Sequence, residues 1–315
     1  MWQYLLRKLL WNIPVYLGIL LVVMLALRVN DPVWVRLGKN AKQEDYDRER
    51  KELGLDEPFL KQYGKLLWGF DLERESWDKP GRSVGKELSQ AVWPSLWIAL
   101  PALVLTTLVA LGIALVAAFR RGRALDRWLM AGAVVGMSIS YVVYIILGQY
   151  FGAYKLKEWT GAEIFAIQGY DTKRAFWWVH FCALPVLINV ALAIGYDSRF
   201  YRAVVVEEAT RDHVRTARAK GLGERRVWLR HVLRNALIPV ITHVMITLPF
   251  LVAGEILVEV FFNIPGMGRT LITAILGKDF PMVQGFTAVF AAIFIITNIL
   301  TDVLYALVDP RVRLS

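Results

Sequence analysis

Cysteine is nearly absent: the 315 residues contain one, Cys182, so an intrachain disulfide is excluded. Histidine is scarce too. The four present, His180, His213, His231 and His243, show no spacing that converges on a metal. His180 and Cys182, alone on one apolar stretch, read as packing residues. The chain has no G-x-x-x-x-G-K-[ST] loop, which excludes binding of ATP phosphates by the chain itself, and no Ser/His/Asp constellation in a plausible site. Internal repeats and low-complexity runs are also missing.

Apolar residues are in excess, at 56% of the chain, and they fall in blocks. A spanning helix needs about 20 mostly apolar residues. Six segments meet that length: 9–29, 95–118, 128–150, 177–196, 237–259 and 284–307. The N-terminus has a basic start like a signal peptide. Its apolar stretch exceeds a typical signal core and no small-residue cleavage site follows, so a retained first span is expected. Trp2, Trp11, Trp93, Trp97, Trp128, Trp177 and Trp178 lie near span ends, as interfacial anchors do. The reading is an all-α polytopic membrane protein with six transmembrane helices.

The formal net charge of +10 matters mainly through its placement. With six spans both termini share one side. If that side is the cytoplasm, segments 1–8, 119–127, 197–236 and 308–315 are inside and hold 18 Lys and Arg against 7 Asp and Glu. The longer outside stretches are close to balanced, with 19 against 17. Positive charge therefore concentrates inside, which predicts cytoplasmic termini. The loop 30–94 carries a helix-like stretch at Ala41–Leu53 and a turn-prone "DKPGR" at 78–82, and is expected to form a small folded outer element. The chain divides into 1–94, the first span plus this extended periplasmic element, and 95–315, a five-helix core with an inner loop at 197–236.

Residues 197–239 carry the most information. Good helix formers run to Lys220, Gly221 follows, and a second helix-like run extends from Glu224 to Leu237. Glycine there suits a left-handed cap between two short helices, and the small Ala217 and Ala219 would let another surface approach closely. On spacing alone a helix-turn-helix nucleic-acid reader is conceivable, but a segment clamped between two spans has little freedom to enter a groove.

The run "DHVRTARAKGLGERRVWLRHVLRNALIPV" resembles the cytoplasmic loop of peptide/nickel-type ABC importer permeases, the dipeptide and oligopeptide permease B-subunit family. Aligned on Gly221, that family's importer pattern E-A-A, three residues, G, nine residues, I-x-L-P places Arg215, Thr216 and Ala217 at E-A-A, and His231, Leu233 and Arg234 at I, L and P. The generic pattern is thus altered, while "RTARAKGL" and "LRNAL" match the peptide subfamily. Other marks are "YLLRKLLWNIPVYLG", "ELGLDEPFLKQYGKLL", "RRGRALDR", "VEVFFNIPGMGRTLITAILGKDFPMVQG" and "DVLYALVDPRVR". The family's P-G-D-P after the first span is reduced to "VNDP" at Val29–Pro32.

The resemblance implies a type I ABC importer transmembrane-domain fold in a bacterial or archaeal plasma membrane. It implies as partners a second homologous permease subunit, two ABC ATPase subunits that hold ATP and Mg, and a periplasmic or lipid-anchored solute-binding protein, with membrane lipid around the helices. This chain would hold no cofactor and be no enzyme. The helix ending at Gly221 would be the coupling helix, with Asp212, Arg215, Thr216, Ala217, Arg218, Ala219, Lys220, Gly221, Arg225, Arg226, Arg234 and Asn235 at the ATPase contact. Read on charge alone, the same arginines only obey the positive-inside rule and meet lipid headgroups, and Asp212 with Arg215 is an ordinary helix pair.

Three acids fall within spans, where ionisable groups are costly. Glu259 near the outer end and Asp302 near the inner end are placed within reach of water, and Glu255 lies deeper. Interhelix or rim hydrogen bonds are preferred over a proton relay. Two other function classes compete: a secondary transporter or channel, which predicts broken helices and conspicuous midplane polar residues not evident in the sequence, and a membrane scaffold using its basic loop as a binding module.

Overall fold

The computed structural model describes residues 2–28, 32–37, 42–52, 55–68, 72–252 and 255–308. The "VNDP" departure and the arginines of the last segment lie essentially outside these. Helices dominate the described residues, and the single extended pairing among them is an isolated bridge between Glu75 and Ser83. In chain order α1 is Trp2–Arg28, and α2 (Pro32–Leu37), α3 (Gln43–Glu52) and α4 (Phe59–Trp68) form the element after it. Next come α5 (Val84–Phe119), α6 (Ala124–Ser138) and α7 (Tyr141–Leu147). A π-helical turn at Gly148–Lys155 leads into α8 (Leu156–Thr160). After a loop, α9 (Trp177–Phe181) precedes α10 (Ala183–Ala209), and the short α11 (Asp212–Ala219) and α12 (Glu224–Arg226) lead through a second π-helical turn, Val227–Val232, into α13 (Leu233–Val252). The last three helices are α14 (Ile256–Phe261), α15 (Met267–Leu276) and α16 (Phe280–Val308).

Among the described residues three helices are long and apolar enough to cross a membrane, at Leu6–Leu27, Val84–Phe119 and Phe280–Val303. The bent pair made by α6 and the segment Tyr141–Thr160 adds a fourth if it is counted as one span. Two of the six expected spans fall short of that measure. Each is present as a helix, but α10 carries Asn189, Asp197 and Arg199, and α13 carries Arg234, Asn235 and His243. The expectation of unbroken helices also needs correction. The third segment turns by 96° between α6 and Tyr141, and the fifth is interrupted at Glu255, whose backbone leaves the helical region just before α14. Hydropathy registers how apolar a run is and not its direction, so a bend inside an apolar block leaves no trace in it.

The long α5 is the axis of the fold. Ser83 starts it, its side chain accepting from the Lys86 N–H, and one of its faces is a stripe of small residues. Ala110 and Ala114, both fully buried, let Tyr201 of α10 and Val240 of α13 close in on the α5 backbone. Small residues at such crossings substitute close packing for the hydrophobic drive that lipid cannot supply.

The segment just before α5 packs back on the core near the start of that helix. Ser76 donates to the buried Asp279 carboxylate, and Lys79 and Arg82 both reach Glu87 at 2.8 Å. Close by, Glu259 has no exposure at all, which corrects the expectation that it sits at a wet rim. Its carboxylate accepts from Ser95 Oγ at 2.5 Å and from the Arg269 N–H at 2.9 Å, and Ser95 Oγ in turn accepts from the Met267 N–H at 2.8 Å. A Cβ on Gly266 would lie 2.3 Å from the Glu259 carboxyl carbon, and one on Gly268 would lie 2.6 Å from Ile256. "PGMG" is therefore a cradle closed around a buried acid, and only glycine leaves room for it.

Glu255 is bonded as expected, accepting from Asn189 of α10, whose amide oxygen accepts from Tyr141. Asp302 pairs with Lys8 and joins α16 to α1. Of the two residues read as packing, Cys182 is fully buried. His180 does more, with its ring between Arg174 and the Ile164 carbonyl.

Candidate functional site

The segment between α10 and α13 folds back on the end of the bundle opposite Glu259. Its local structure follows from where its few apolar residues fall. In α11 Val214 and Ala217 lie on one face, and both are buried. Val227, Val232 and Ala236 supply the facing side, and Val205 of α10 and Ala118 of α5 close the small core. The polar remainder of α11 faces out.

Helix α11 ends in a Schellman motif. The Leu222 N–H bonds the Ala217 carbonyl at 3.4 Å, and the Gly221 N–H bonds the Arg218 carbonyl at 2.9 Å. Gly221 takes φ +77°, the left-handed conformation expected for it. Leu222 and Ala217 then share the core beneath, the apolar contact that accompanies this cap. The second helix-like run is not uniform: three residues of α12 pass into a π-helical turn that continues into α13 without a break.

Side chains fasten this segment to three helices. Glu224 accepts from Arg218 Nε at 2.9 Å and from Trp228 Nε1 at 3.0 Å. The Arg218 guanidinium holds the Glu224 carboxyl below the usual carboxylate range. That contribution is present above the ordinary carboxylate pKa and is lost as pH falls through the depressed value. Both partners are well exposed, so the pair adds little stability and mainly sets orientation. The Trp228 ring meets Phe119, at the end of α5, edge-on at 5.4 Å. At the other end of α11, the buried Glu208 of α10 pairs with Arg211 at 2.9 Å and His213 at 3.3 Å. Asn235 of α13 bridges the His213 ring at 3.0 Å and the His231 carbonyl at 3.1 Å. Beside it, Asp126 at the start of α6 takes a two-pronged bond from Arg202 of α10, both contacts at 2.6 Å, and the Gly122 N–H at 2.9 Å.

The predicted contact residues divide accordingly. Asp212, Arg215, Thr216, Arg218, Ala219, Lys220 and Gly221 form an exposed surface on and after α11, and Arg225, Arg226 and Arg234 are exposed beyond it. Asp212 and Arg215 approach only to 3.4 Å with both ends in solvent, an ordinary helix pair. Asn235 is a brace inside the segment. Ala217 is turned inward at 3% exposure, so of the two small residues only Ala219 can admit an outside surface. The sequence reading passed over Glu208, Glu224, Asp126 and Arg202. One trace was present: Asp126 is the lone acid among the basic residues of "RRGRALDR".

Residues 110–314, which include this whole segment, match the family described as "binding-protein-dependent transport system inner membrane component". Over its full length the chain is similar to curated proteins. It is 31% identical to the "probable peptide ABC transporter permease protein y4tP" of Sinorhizobium fredii, covering 98% of this chain and 99% of that protein. It is 32% identical to the glutathione transport system permease protein GsiC of Escherichia coli, covering 99% of both.

Proposed function

Because the chain belongs to the binding-protein-dependent transport system inner membrane component family, we propose that it is one of two permease subunits of an ATP-driven importer for peptides or solutes of similar size. The observation that carries the mechanism is the seating of α11. It is a short rigid helix with a buried inner face, an exposed basic outer face, and separate ties to α5, α10 and α13. In this reading two ABC ATPase subunits, which hold ATP and Mg, dock on the outer face. A second, homologous permease completes the pathway, and an extracytoplasmic binding protein delivers the solute. When the ATPases close, α11 is displaced as a body. Glu224, Trp228 and Phe119 pass the movement to α5, and Glu208 and Arg202 pass it to α10 and α6.

The reading includes six crossings with both termini in the cytoplasm, and the division into 1–94 and a core at 95–315. Helices α10 and α13 count as spans because polar groups well inside them are engaged: Asn189 with Tyr141 and Glu255, and His243 with Asp197 at 3.2 Å. The α11 segment and the Glu259 cradle lie at opposite ends of α5, as an inner coupling surface and an outer mouth require. The bent third segment and the Tyr141–Asn189–Glu255 chain are features a secondary carrier would also show. Family membership decides against that reading, and uptake by the chain alone in liposomes, without an ATPase, would reinstate it.

The single native thiol, Cys182, is fully buried, so an introduced cysteine reports against a silent background. Ala219→Cys should cross-link to a cysteine scanned along the ATPase groove in the assembled transporter. Cross-links from Ala219→Cys to lipid probes alone would leave α11 as a membrane-surface helix and remove the docking role. Lys51→Cys should react with an impermeant maleimide added outside intact cells. Labelling confined to the cytoplasmic face would reverse the topology.

A further inference from the structure

We infer that the outer end of this permease holds a binding site of its own for the charged ends of a small zwitterionic solute. The site is a cavity of about 440 Å³ between the outer element, the start of α5, the cradle turn and α15. That volume lies within the ~300–1,000 Å³ typical of small-molecule sites. Charges of both signs line it: Lys79, Arg82 and Arg269 against Asp78, Glu87 and Asp279.

Part of this charge is internally engaged. Glu87, largely buried, is held by Lys79 and Arg82. Asp279, at 2% exposure, is held by the Ser76 hydroxyl and the backbone N–H groups of Asp78 and Met282. These bonds build the walls and fix the outer element against α16.

Other groups keep capacity for a ligand. Arg269 donates through Nη1 to the Asn263 carbonyl at 3.0 Å, which orients the guanidinium and leaves further N–H donors. Lys79 and Arg82 are about half exposed and also retain donors. The exposed Asp78 side chain offers a carboxylate on the same lining. Fixed donors and a carboxylate in one concave space suit a molecule with a carboxylate and an ammonium, as a short free peptide has. Arg269 is the carboxylate anchor, because a guanidinium takes a carboxylate in a fork, and Asp78 is the ammonium acceptor. Arg269 also belongs to the turn closed on Glu259 through its own N–H, so ligand at the guanidinium bears on the backbone that seals the outer mouth.

The inference rests on the importer reading for its solute class, and its test separates the two. The permease pair in nanodiscs, without binding protein, is titrated with trialanine, with N-acetyl-trialanine and trialanine amide, which each lack one terminal charge, and with N-acetyl-trialanine amide, which lacks both. Trialanine should bind about tenfold more tightly, the scale of one charge-assisted hydrogen bond. Arg269→Gln should remove preference for the free carboxylate, Arg269→Lys should restore part of it, and Asp78→Asn should remove preference for the free amine. Equal binding of capped and free trialanine, or failure of both to bind while the complete transporter imports trialanine, overturns the outer site and leaves the importer reading standing. Preference for free trialanine in an assembly that shows no ATP-driven uptake would uphold the site and sink the importer reading.

Discussion

Gly221→Pro should leave the chain inserted and able to bind its ATPases while ATP-driven uptake falls by about tenfold or more. Proline fixes φ near −65° and has no N–H. At position 221 it meets a φ of +77° and deletes the bond to the Arg218 carbonyl. The cap then cannot form, and α11 loses the stop that sets its length and angle. A graded series isolates the cause. A Cβ at this glycine meets nothing within 4 Å, so added side chains cost only backbone strain. That strain is about 1–2 kcal/mol for an ordinary L-residue and less for asparagine, which tolerates the left-handed region. Uptake should therefore fall in the order Gly, Asn, Ala, Val, Pro, while the ATPase activity of the partners persists and loses its dependence on solute and binding protein. Wild-type uptake by the Val and Pro variants would show that α11 geometry does not carry the coupling. Loss of membrane insertion would show that the cap is needed for folding instead.

Asp126→Ala should destabilise the purified transporter by about 3–5 kcal/mol, the range for removing one partner of a buried ion pair. Asp126 is 3% exposed and accepts three hydrogen bonds, two of them from Arg202, whose side chain is about a quarter exposed. Truncation strands a partly buried guanidinium without its carboxylate and frees the Gly122 N–H of the α5–α6 turn. The discriminating measurement is a double-mutant cycle by thermal unfolding in detergent. Arg202→Met in the Asp126→Leu background should recover much of the loss, because an apolar pair of similar volume carries no desolvation penalty. Uptake should not recover with it if the pair also transmits movement from α10 to α6. Full recovery of both would reduce the pair to a structural tie, and additive losses in the cycle would show that the two residues do not act together.

These predictions depend unequally on what could be read from the chain. Gly221 was legible because a glycine directly after good helix formers has one common use, the left-handed cap, and that is a local property of backbone sterics. The helical class and most of the apolar blocks were legible for a similar reason: burial in lipid demands about 20 consecutive apolar residues whatever their neighbours do. The helix-like stretch after α1 followed from local composition in the same way, whereas the contact residues on and after α11 came from the resemblance of "RTARAKGL" and "LRNAL" to an importer-permease loop and not from composition.

Tertiary structure alone decided how charges and small residues are used. Whether Ala217 faces a partner or its own core depends on where Ala118, Val205 and Val232 stand, residues from three other parts of the chain. Glu259 lost its rim position because Ser95 and the Arg269 backbone N–H, from α5 and α15, converge on it. Asp126 found Arg202, and Asp279 found Ser76, across 76 and 203 positions of sequence. The bend after α6 belongs with these, since direction is set by what a helix packs against. Backbone conformation and hydropathy are properties of neighbours in the chain, so they can be read from it. The partner of a buried polar group is a property of neighbours in space, and only the fold assigns it.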